Sequence, residues 1–202
     1  MTKDKRLLLV FLLNGGMVIV LIIVGLAAHS LGVLAAGGDY LGDAAGVAVS
    51  LAALRMSRHE HGHPRATSYA ALINASFLLL VTIVVIVEAL RRLSEGTPHV
   101  HGIPVIIVSV IAGLVMAICA LIIGTVEDGD LNMRSVMLDT LSDGISAAGV
   151  AVSGIIILVT KGNYWLDPVM ALVIAAIIAF HSVKLIREVL TVLQTATPPK
   201  IK

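Results

Sequence analysis

The chain has 202 residues, of which 58% are hydrophobic and only 13% charged; 14 Lys+Arg against 13 Asp+Glu give a net charge of +1, and the mean hydropathy is +1.01. Soluble domains run at about 45–50% apolar and about 25% charged, so residues 1–202 are read as one integral membrane domain rather than as water-facing globules. The near-neutral charge balance excludes nucleic acid as a partner, and the single cysteine, Cys119, lies in an apolar run, which excludes a disulfide framework or a thiolate cluster.

Apolar runs of about 20 residues signal membrane spans, and six are present. They run from about Leu7 to Ala27, Leu31 to Met56, Ser68 to Leu93, Gly102 to Gly124, Asn132 to Thr160 and Leu166 to Val192. In lipid the backbone must satisfy its own hydrogen bonds, so each run is expected to be a helix and the fold class all-α. The first run follows Lys3, Lys5 and Arg6 as a secretory leader would. Its length and the lack of a small-x-small cleavage site make it a retained helix instead. A cytoplasmic N-terminus places eleven of the 14 Lys and Arg inside and only Arg91, Arg92 and Lys161 outside. The positive-inside rule therefore puts both termini of the six spans in the cytoplasm, and the expected location is a bacterial cytoplasmic membrane.

The second and fifth runs share the string AAGVAVS, at 44–50 and 147–153, each after a D-x-x-x-D pair. An inverted three-plus-three repeat would place such strings in antiparallel helices; chance in an Ala/Val/Gly-rich chain is the competing account. The acidic pairs are Asp39 with Asp43 and Asp139 with Asp143. An i, i+4 spacing sets each pair on one helix face. Insertion scales charge roughly 2.5–3.5 kcal/mol per mid-membrane aspartate, so four cost on the order of 10 kcal/mol without compensation.

Counting ~1.5 Å per residue from the helix ends puts Asp39 and Asp43 at ~12 and ~18 Å below the outer boundary of a ~30 Å core. The same count puts Asp143 at ~13 Å and Asp139 at ~20 Å. Asp39 is thus expected to face Asp143, and Asp43 to face Asp139, around one cation. Gly37, Gly38, Gly42 and Gly46 beside the first pair, and Gly144, Ser146, Ala147 and Gly149 beside the second, would let the two helices approach closely. Four carboxylates so close cannot all stay ionised in a low-dielectric site. Protons would occupy the empty site and leave as a coupled set when metal enters.

Several stretches occur in an order that resembles the cation diffusion facilitator family of metal transporters. They are His29–Asp39 followed by Asp43, Arg65–Asn74, Glu88–Leu93, Asp130–Asp143 and Tyr164–Pro168. The resemblance implies a non-enzymatic exporter that moves divalent metal out of the cytoplasm against protons by alternating access, working in the lipid bilayer as a homodimer. Its metal residues by position are Asp39, Asp43, Asp139 and Asp143. Zinc-handling members usually carry a histidine at the position of Asp139, and many also at that of Asp39. An all-carboxylate set suits harder ions, so the expected cargo is zinc, then cadmium, with manganese or iron open. No cofactor is expected beyond this transported ion. Thr67 stands where the family has a glutamate, and the usual C-terminal cytoplasmic dimerising domain is expected to be absent. A passive cation channel and a non-transporting metal-binding membrane protein remain alternatives.

The loop Arg58–Pro64 carries His59, His61 and His63. It reads either as a second, ion-collecting metal site or as a solvated loop. For His99 and His101 a hydrated loop is expected, and for Glu88 neutralisation by Arg91 and Arg92 one turn on. Asn14, His29 and His181 are expected to be hydrogen-bonded structure rather than a water path. Tyr40 should point off the site face, and Tyr164-Trp165 should anchor at the interface.

Overall fold

A computed structural model describes the backbone of residues 3–57, 64–123 and 131–195, and the side chains of these residues except 3–4, 7, 49–57, 64–67, 123, 131–139 and 195. The described residues form six helices and no strand: α1 (Lys3–Ala27), α2 (Leu31–Ser57), α3 (Pro64–Glu95), α4 (Gly102–Ile123), α5 (Leu131–Thr160) and α6 (Leu166–Thr195). Five of them, all but α2, are long and apolar enough to cross a membrane. Helix α2 has the length, 27 residues, but spends part of it on Asp39, Asp43 and five glycines. The connections at 28–30, 96–101 and 161–165 share one end, here called the upper end; α1 begins and α6 finishes at the other.

Helices α1, α2, α5 and α4 form a ring in which α1 packs on α2, α2 on α5, α5 on α4 and α4 on α1, while α3 and α6 pair with each other and lean on α2. Lipid tails are as apolar as leucine, so helices associate here through close packing of small residues rather than through the hydrophobic effect. The burial pattern follows. Ala28, Ala75, Ala89, Ala171 and Ala175 are buried, whereas Ile73, Leu80, Val84, Leu121 and Ile145 face outward. The α4–α5 pair approaches most closely at its upper end, where a Cβ added to Gly102 would lie 2.8 Å from the carbonyl oxygen of Gly154.

At the upper end the chain reverses through left-handed residues, and only one of them is glycine. His29 (φ 56°) and Lys161 (φ 50°) follow α1 and α5, and Gly96 (φ 111°) follows α3. After α1 the amide of Ser30 donates to Gly25 O and that of His29 to Leu26 O, the paired bonds that close a helix C-terminus.

Candidate cation site

Position 39 lies two turns into α2, and Asp43 follows one turn below. Both side chains are half-buried, and Asp143, reaching in from α5, is 5% exposed. The carboxyl groups of Asp43 and Asp143 lie within hydrogen-bonding reach of each other. The depth count sets Asp143 level with Asp39 and sets Asp43 opposite Asp139, whose side chain lies outside the described residues. The depth count assumed that α5 begins at the membrane edge. At 30 residues it is ~45 Å long, well beyond a ~30 Å core, so residues counted from its lower end come out too high.

Asp139 lies on α5 one turn below Asp143, with its side chain outside the described residues, as are His59, His61 and His63. Among the described residues no three His, Cys, Asp or Glu side chains are grouped as a metal site would need. The described part of the site is the Asp43–Asp143 contact with Asp39 one turn above it.

Tyr40 is buried to 1% exposure, and its hydroxyl donates to Ala112 O on α4 at 3.2 Å. The ring is thus buried within electrostatic reach of Asp39, Asp43 and Asp143 rather than turned off the site face as expected, and only its hydroxyl is used elsewhere, on α4. The small residues act differently from expectation. A Cβ on Gly37 would meet Leu21 of α1, one on Gly42 would meet Leu78 of α3, and one on Gly149 would meet Met170 of α6. They bring α2 and α5 close to their other neighbours rather than to each other.

Asn14, expected to be hydrogen-bonded, is 4% exposed, and among the described residues its Oδ1 has no hydrogen-bond partner. His181 is exposed on α6 with its ring 5.9 Å from Phe180 and within electrostatic reach of Asp43. Glu88 does pair with both arginines, accepting from Arg91 Nε at 2.9 Å and Arg92 Nε at 3.0 Å. His99 and His101 are exposed, and His99 packs its ring at 5.0 Å from His101 and 4.9 Å from Tyr164.

Sequence patterning does not single out Asp167. Next to Pro168 at the start of α6, it is 1% exposed and caps α2 from across the bundle. Its carboxylate accepts from Ser30 Oγ, from Leu31 N at 2.6 Å and from Gly32 N at 3.2 Å. The two amides are among the orphan donors that every helix N-terminus presents, and the carboxylate also suits the positive end of the helix dipole. Arg92 Nη1 lies 4.0 Å from Asp167 and donates to His29 O at 2.8 Å, while His101 N donates to Ala28 O. The only hint in sequence was an acidic residue beside a helix-starting proline, which does not name its partner.

The cation efflux transmembrane domain family matches residues 7–194. Among curated relatives, the zinc transporter ZitB of Pectobacterium atrosepticum is 33% identical over 98% of this chain and 64% of its own length. The cadmium, cobalt and zinc/H(+)-K(+) antiporter of Bacillus subtilis is 27% identical over 98% of this chain and 66% of its own. The metal cation efflux system protein CzcD of Cupriavidus metallidurans is 25% identical over 98% and 64%. The chain thus spans a little under two thirds of the length of these relatives. With six helices, five apolar enough to span and acidic residues meeting between α2 and α5, this multi-pass membrane protein belongs to the cation efflux transmembrane domain family.

Proposed function

We propose that the chain is the membrane unit of an exporter that moves divalent metal cations out of the cytoplasm in exchange for protons. Asp39, Asp43, Asp139 and Asp143 form the transport site, and both termini lie in the cytoplasm. The observation that carries the reading is the Asp43–Asp143 contact inside the four-helix ring. Two carboxyl groups this close share a proton when no cation lies between them, because both cannot stay ionised in a low-dielectric site. A divalent ion placed there replaces that proton as the compensating charge, which couples loading to proton release. The relatives named for zinc, for cadmium, cobalt and zinc, and for proton antiport support the cargo class and the coupling.

Zinc is the first cargo on this support, and cadmium the second. The oxygen-only aspartate set favours harder ions such as Mn²⁺ or Fe²⁺ more than a set with imidazole would. At the upper end the Asp167 cap and the Arg92–His29 contact hold α1, α2, α3 and α6 together, so alternating access requires this end to part while the site turns outward.

The test is proton movement in proteoliposomes on addition of Zn²⁺, Cd²⁺, Mn²⁺ or Fe²⁺. The expected result is saturable proton flow opposite to the metal, lost in Asp143→Asn. Metal conduction with no linked proton flow would make the protein a channel. Binding without flux of either would make it a metal-binding membrane protein.

A further inference from the structure

The buried amide of Asn14 has no place in the account so far. It lies on the α1 face shared by Val10, Met17 and Leu21, all buried, and that face looks between α2 and α4. Contacts on three helices set its level. Against α4, Ala28 just after α1 meets His101 just before α4 at the upper end, and Val10 clusters with Cys119 at the lower, which sets Asn14 level with Val115 and Met116. On α5, Met116 lies against Gly144, so the same level is that of Asp143. On α2, Leu21 and Ile22 lie against Gly37, which brings Asn14 level with Ala44, next to Asp43.

The amide therefore stands inside the ring of α1, α2, α4 and α5 at the height of the Asp43–Asp143 contact. Among the described residues its Oδ1 accepts no hydrogen bond. A buried amide oxygen without a partner lowers stability, and leucine, similar in volume, would fill the place without that loss. Retaining the amide is understandable if something occupies the interior that this structure does not hold.

We propose that Asn14 belongs to the cation site, where its Oδ1 supplies a neutral oxygen to the coordination sphere of the bound ion from a helix outside the two aspartate pairs. A neutral oxygen adds a ligand without adding negative charge. That favours ions that take a full oxygen shell, such as Mn²⁺, over zinc, which is content with four ligands. Asn14 is thus a specificity residue, and the proposal rests on the carboxylate site described above.

The experiment measures Zn²⁺ and Mn²⁺ affinity by calorimetry on the purified chain in nanodiscs, with ion-free melting temperatures, for Asn14→Leu, Asn14→Asp and Asp143→Asn. Asn14→Leu is expected to weaken Mn²⁺ at least tenfold and Zn²⁺ less than threefold, with an ion-free melting temperature at or above that of the parent. Asn14→Asp, which restores an oxygen, is expected to regain Mn²⁺ binding. Unchanged affinity for both ions in Asn14→Leu overturns the proposal, as does an equal loss for both accompanied by a lower melting temperature. If Asn14→Leu does not purify, Asn14→Ala is read by the same criteria. Loss of both ions in Asp143→Asn together with no change in Asn14→Leu leaves the carboxylate site standing and removes Asn14 from it. Retention of both ions in Asp143→Asn removes the site itself.

Discussion

The upper end of the bundle and the aspartate level about three turns below it are built on opposite rules. At the upper end, the first amides of α2 are taken up by Asp167 and Ser30, the last carbonyls of α1 by the turn at His29, and Glu88 by two arginines. At the aspartate level an acid meets an acid, and a buried amide oxygen has no partner among the described residues. Helices α2 and α5, which carry the acids, touch far less than α4 touches α5 or α3 touches α6. A fold that satisfies local rules at one level and breaks them at another marks the second as the working part. The end holds the helices, and the middle exchanges its contents.

Four substitutions would break or sharpen this contrast. The largest effect is expected from Asp143→Asn, which keeps the shape and removes a site charge. Metal-driven proton flow should fall by more than about 100-fold, beyond the 10–100-fold typical of residues that only support a metal's ligands, while the melting temperature stays within a few degrees. Asp167→Ala should show the reverse pattern. Removing the shared acceptor of Ser30, Leu31 and Gly32 is expected to cost about 3 kcal/mol of stability, seen as a lowered melting temperature with metal affinity at equilibrium retained. Equal loss of binding in both variants would erase the distinction between the two levels.

Gly102→Ala comes next. Its methyl would press on the Gly154 carbonyl at 2.8 Å, backbone that cannot swing aside, so about 1–3 kcal/mol of destabilisation is expected, again without a change in ion preference. The smallest effect, and the only stabilising one, is expected from His29→Gly. A left-handed non-glycine residue costs about 1 kcal/mol, and glycine adopts φ 56° freely. The melting temperature should rise slightly. A fall would show that the His29 ring, 6.3 Å from that of His101, contributes more than its backbone strain removes.

How much was legible beforehand differs between these levels for a physical reason. The helix boundaries read from hydropathy lie within a few residues of those observed, because a lipid-exposed backbone admits only helix over such runs. Glu88 with Arg91 and Arg92 was equally legible, since i, i+3 and i, i+4 neighbours meet on any helix. The facing of Asp43 and Asp143 was not, because it depends on how far α5 slides past α2, and a helix longer than the membrane core carries no mark of where the core begins. The partners of Gly37, Gly42 and Gly149 were illegible for a related reason. A small residue announces a close approach without naming the helix that approaches.

By itself, then, the sequence determined an all-helical membrane chain with two acidic pairs in its second and fifth helices, because hydrophobic length and i, i+4 spacing are local properties. Only the tertiary structure decided that Asp43 meets Asp143, that Asp167 caps a helix more than a hundred residues away in the chain, and that Asn14 stands at the height of the acids. Those three contacts depend on the relative register of packed helices, and register is settled by the fit of side chains between helices that no single helix encodes.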